Sequence, residues 1–82
     1  MNITIEEKQD NKGITDGTLQ HSAEVSKNGC KYPVGIEEMI TNGNSVYAIT
    51  WLGDEPFIDS DEQEFIEEAV IKAFEQAEPI EA

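Results

Sequence analysis

Apolar and polar side chains alternate along most of this chain, with a period of two as far as about residue 52 and a period near 3.6 beyond residue 60. Ile3 and Ile5 alternate with Asn2, Thr4 and Glu6 and predict a first strand. Residues 8–17 are polar and contain Gly13 and Gly17, which predicts a loop. Leu19, His21, Ala23 and Val25 then alternate with Thr18, Gln20, Ser22 and Glu24 and predict a second strand.

Asn28-Gly29 follows, a pair in which both residues tolerate the positive φ of a type I′ turn. A two-residue turn there pairs Lys27 with Cys30, Val25 with Tyr32, Ala23 with Val34 and His21 with Ile36. The apolar residues then share one face, as a sound register requires. The segment Ile36-Glu37-Glu38-Met39-Ile40 reads either as a helical turn closed by Asn42-Gly43 or as a third strand entering a second turn at that dipeptide. The strand reading pairs Ile40 with Ser45, Glu38 with Tyr47, Ile36 with Ile49 and Val34 with Trp51, extending the face begun by the first hairpin. A longer loop would set Glu37 opposite Ile49, so the strand reading is preferred.

Gly53-Asp54-Glu55-Pro56 ends the sheet. Ser60 is the expected N-cap, with Asp61 and Glu62 in the first turn and Gln63 three residues on. At about 100° per residue, Phe65, Ile66, Ala69, Val70, Ala73 and Ala77 fall on one side, with Phe74 at its border. Pro79 is the expected stop beyond a helix of about 61–77. These elements predict a single α+β domain over 1–82. A four-stranded antiparallel meander sheet occupies about 2–52, one C-terminal amphipathic helix packs on one face, and a short tail follows at 78–82 (ββββα).

Charge changes this picture most. The formal net charge is −13 over 82 residues, enough for self-repulsion to oppose compaction. It is also polarised. Residues 1–53 hold seven acids and four lysines, a balance of −3, whereas residues 54–82 hold eleven acids against Lys72, a balance of −10. Such a field disfavours direct contact with nucleic acid or an anionic membrane surface. No stretch reaches the ~18 apolar residues of a membrane span. Cys30 is the single cysteine, which permits no intramolecular disulfide and fits a reducing compartment. Residues 1–7 carry neither the basic region nor the apolar run of a secretory signal, so a cytoplasmic location is expected. Asn2-Ile3-Thr4 then matches the glycosylation pattern by chance.

Candidate chemistry is sparse. His21 is the only histidine, and its phase with Leu19, Ala23 and Val25 points it inward as a hydrogen-bonded core or core-edge residue rather than a general base. Cys30 has no histidine or charged helix end placed to activate it and reads as a small structural thiol. The acids from Asp54 to Glu64 lack the glycine that a calcium loop needs at its sixth position, whether counted from Asp54 or from Asp59. Glycine-rich phosphate loops and nucleophile elbows are absent. The expectation is a non-enzyme with no cofactor, no metal and no catalytic residue.

The acidic helix is the most informative feature. Asp61, Glu64, Glu68 and Glu75 line its outer side, with Glu67 and Glu78 on the flank, Glu62 nearby and Ile71 projecting from the middle. Counted together these acids give about one charge per 4 Å of helix axis, close to the ~3.4 Å per charge of one DNA strand. A solvated amphipathic face explains many such rows, but only Lys72 relieves the repulsion here, and the usual Glu–Lys pairs are missing. The leading expectation is a small acidic inhibitor that mimics nucleic acid at the basic site of a nucleic-acid-handling protein. By class, such inhibitors belong to phage or mobile elements opposing restriction or CRISPR effectors. The alternative is a non-enzymatic adaptor or homo-oligomeric accessory protein, a homodimer among the options, that binds through a sheet edge near Met39 and Val46 or through the Tyr47–Trp51 strand.

Overall fold

The computed structural model describes residues 1–78. Four strands, β1 (Asn2–Glu7), β2 (Gly17–Lys27), β3 (Cys30–Thr41) and β4 (Asn44–Trp51), precede one helix, α1 (Ser60–Gln76). The strands lie in the order β1-β2-β3-β4, each antiparallel to its neighbour, and α1 covers one face of the sheet.

The two Asn-Gly pairs set this register. Backbone φ is 52° at both Asn28 and Asn42, 79° at Gly29 and 77° at Gly43, left-handed at both central positions as type I′ requires. Lys27 therefore faces Cys30 and Val25 faces Tyr32 across the first turn, while Thr41 faces Asn44 and Ile36 faces Ile49 across the second. The segment that sequence left between helical turn and strand is strand throughout. β1 adds to β2 with Ile3 opposite Val25 and Ile5 opposite Ala23, and a bulge between Ile5 and Glu7 ends its regular pairing.

Pro33 stands in an interior strand, where a missing N–H would break a ladder. Its carbonyl accepts from Leu52 N–H at 3.2 Å. In extended backbone the N and C=O of one residue face the same way, so the donorless side of Pro33 meets the end of β4 and the β2–β3 pairing is spared.

Asp59, not Ser60, is the N-cap of α1, its Oδ1 accepting from Glu62 N–H at 2.8 Å. The C-cap is Ala77; the expected stop at Pro79 and the tail beyond it fall outside the described residues. Ile66, Val70 and Phe74, spaced four apart, fill the seam against Ala23, Val25, Val34 and Ile36. Phe74 is 1% exposed and Phe65 is 67% exposed, which reverses the expected placement of the two rings. They are nine residues apart, and at ~100° per residue that puts them on opposite sides of a helix. The sheet can take only one, and Phe74 is in line with Ile66 and Val70.

The helix backbone approaches β1 more closely than any other strand. On the opposite flank the rings of Tyr47 and Trp51 on β4 pack against the core. Two lysines pin the helix ends. Lys8 Nζ donates to the carbonyls of Phe74 at 2.7 Å and Ala77 at 2.9 Å and lies 4.5 Å from the Phe74 ring centroid. It adds a second donor to the Phe74 carbonyl, which also accepts from Ala77 N–H, and satisfies the Ala77 carbonyl, at an end where α1 has no base of its own. Lys27 Nζ donates to Glu62 Oε1 and to the Pro56 carbonyl, each at 2.9 Å.

Candidate functional site

The covered face of the sheet holds one polar cluster. His21 and Glu38 are diagonal neighbours on β2 and β3, only 4% and 1% exposed. Gln9 N–H donates to His21 Nδ1 at 2.9 Å, which makes that nitrogen an acceptor and leaves the ring proton on Nε2. Nε2 in turn donates to Glu38 Oε1 at 2.9 Å. Glu38 Oε2 accepts from Asn11 Nδ2 at 2.7 Å and Ser45 Oγ at 2.6 Å. Burial pushes the Glu38 carboxyl up, but the bonds from Ser45, Asn11 and His21 outweigh it and hold the group below its ordinary value of 4.5.

Chemically this cluster is closed. Ser45 donates to the same carboxylate that His21 uses, whereas a nucleophilic triad needs the imidazole between hydroxyl and carboxylate. His21 is the hydrogen-bonded core residue that its phase implied. Cys30 differs from expectation, for it is exposed beside the first turn rather than packed as a structural thiol.

On the outer side of α1, Asp61, Glu64, Glu68 and Glu75 are all exposed, and none of them is in a salt bridge among the described residues. Their steps along the axis are about 4.5, 6 and 10.5 Å at ~1.5 Å per residue. Half-buried Ile71 and exposed Lys72 occupy the longest gap. Shallow depressions between these side chains share Glu68 and Ile71 in their lining.

The remaining acids depart from the expected row. Glu62 is paired with Lys27 at 2.9 Å. Glu67 Oε2 accepts from Trp51 Nε1 at 2.9 Å and from Gln63 Nε2 at 3.1 Å, so it faces β4 and holds the indole in place. Glu78 is exposed but lies past the C-cap, off the helical line. The outward row is thus sparser than counting all the acids implied, because tertiary partners take two and the helix end removes a third. Burial, then the charges of Glu38 and Glu75, push the Tyr47 phenol up.

The secondary candidates split between two faces. Met39, 39% exposed, and Val46, 62% exposed, stand opposite each other on the sheet face away from the helix. Tyr47 and Trp51 turn the other way, edge-on to Phe74 at 5.4 Å and to Phe57 at 5.6 Å. They therefore contribute no side-chain surface beside Met39 and Val46.

Sequence reasoning missed Glu38 as a core residue, although the register it derived already put Glu38 in phase with Val34, Ile36 and Ile40, diagonal to His21. Lys8, Gln9 and Asn11 had no such signal, because nothing periodic constrains a polar loop. Among the described residues no helix is long and apolar enough to cross a membrane, and no three metal-ligating side chains converge. Comparison of the chain with models of known protein families, with curated proteins and with solved structures finds no match in any of the three.

Proposed function

We propose that this protein is a non-enzymatic inhibitor that lays the outer side of α1 into a basic groove of a nucleic-acid-handling protein, in place of the nucleic acid. The observation that carries this reading is the line of exposed, unpaired carboxylates at Asp61, Glu64, Glu68 and Glu75 on a helix capped by Asp59 and pinned by Lys8 and Lys27. A row held on a pinned helix loses little freedom on binding. Charge neutralisation between the row and a basic groove favours docking at low salt and weakens as salt is added. The row has the sign and linear form of a phosphate backbone at about half its density, with a mean step of ~7 Å against ~3.4 Å. Ile71 adds an apolar contact at its centre. A phage or mobile-element setting, opposing restriction or CRISPR effectors, follows from the class of such inhibitors.

The test is charge reversal. Glu64→Lys, Glu68→Lys and Glu75→Lys together change only exposed positions and should leave the circular dichroism spectrum unchanged. Wild-type protein, immobilised and exposed to nuclease-treated host lysate, should retain a nucleic-acid-binding protein that elutes between low and moderate salt. The triple variant should retain none of it, and equal capture by both would defeat the proposal.

A further inference from the structure

The other feature that calls for a physical account is β4. It is an edge strand of eight residues, and its pairing with β3 has no bulge. From Met39 to Gly53 the chain carries no acid, no lysine and no arginine, so β4 lies wholly inside an uncharged stretch of a strongly acidic protein. The opposite edge differs. β1 carries Glu6 and Glu7, is followed by Lys8 and is bulged after Ile5. Charge, proline and bulges are the devices that keep edge strands from pairing with other chains; β1 has two of them and β4 has none.

The backbone shows which groups are open. Leu52 N–H donates to Pro33, so with a period of two Thr50, Ala48, Val46 and Asn44 also turn their N–H and C=O toward β3. Those of Ser45, Tyr47, Ile49 and Trp51 point away from the sheet, and among the described residues none takes a backbone partner in a turn or loop.

We propose that β4 pairs antiparallel with β4 of a second copy about a two-fold axis at Ala48. An antiparallel ladder must pair the outward residues with one another, and only this centre engages all four, Tyr47 with Ile49 and Ser45 with Trp51. Val46 then meets Thr50, and Ala48 meets itself, so no charge stands opposite another. A second copy is the fitting occupant because the strand is complementary to itself in this register, while the helix side of a chain at −13 repels its own kind. The eight-residue ladder is about 27 Å long. A single strand pairing of that length is a narrow contact beside the interfaces of permanent dimers, which bury upwards of ~2,000 Å², so association is reversible. Both helices lie on the same face of the joined sheet. Glu67 faces β4, and the repulsion between two chains at −13 makes the dimer tighten as salt is added, the reverse of a complex held by the carboxylate row.

The experiment is sedimentation velocity over a concentration series at low and moderate salt, on the wild type and on Ala48→Lys and Ala48→Glu. Each substitution sets like charges across the two-fold and should weaken association roughly tenfold. Mixing the two variants should restore dimer, seen as the mixed mass in native mass spectrometry. Circular dichroism checks that both variants fold; should one unfold, the other still reports on the seam. A wild type that stays monomeric at every concentration and salt, or a dimer indifferent to both substitutions, overturns the proposal.

Discussion

Glu38 is an acid that behaves as a core residue. Two strands and a loop supply its bonds: His21 from β2, Ser45 from β4 and Asn11 from the segment between β1 and β2. Glu38→Gln keeps the shape but sets an amide N–H₂ against donors, and hydrogen bonds to a charged group contribute about 1.5–3 kcal/mol; a loss of that size is expected in urea unfolding at neutral pH. The pH dependence has a definite sign. The folded carboxyl sits below 4.5, so its contribution is complete above that value and is lost as the pH falls through the folded pKa. The stability gap between wild type and Glu38→Gln should be level above about 4.5 and close below it. A gap that widens in acid would mean that the carboxyl is neutral in the native protein.

At the scale of elements, the hairpins and the helix were legible to different degrees. Each strand reports its inward face by simple alternation, and each type I′ turn leaves one register, so the cross-strand pairs of β2, β3 and β4 follow from short stretches of chain. The helix start is less constrained, since Asp59 and Ser60 are both good caps and lie side by side. The structure selects Asp59. Asp59→Ala should therefore cost about 1 kcal/mol, and Ser60→Ala a few tenths at most, in chemical denaturation of the two variants. Equal losses would show that the first turn shifts between caps.

At the scale of the whole molecule, charge is distributed by layer. Residues 54–82, which include α1, carry −10 of the −13, the sheet's open face carries little, and two of the five cations are used to hold the helix ends. Self-repulsion then opposes the native state, while Lys8 and Lys27 act at short range and are less sensitive to screening. The melting temperature should rise as sodium chloride is added, since the Debye length shrinks from ~10 Å at 0.1 M to ~3 Å at 1 M. A fall on adding salt would show that attraction at the lysine contacts outweighs repulsion along the row. The four carboxylates of the row were legible because exposed helix positions need only the 3.6 period. The diversion of Glu62 and Glu67 was not, because Lys27 and Trp51 lie on other elements.

By itself the sequence determined most of what neighbouring residues decide: where the chain reverses, which segments outside residues 36–42 are extended, which pairs face each other once the hairpins form, and that one acidic helix follows. These are local because turn geometry and side-chain alternation act over a few residues. Tertiary structure alone decided which phenylalanine enters the core, which acids remain available on the surface, and that a carboxylate is buried and ionised beside His21. Those outcomes depend on contacts such as Lys8 with Phe74, Asn11 with Glu38 and Trp51 with Glu67. Each joins residues far apart in the chain, and no local pattern encodes which of several chemically adequate partners will be brought within bonding distance.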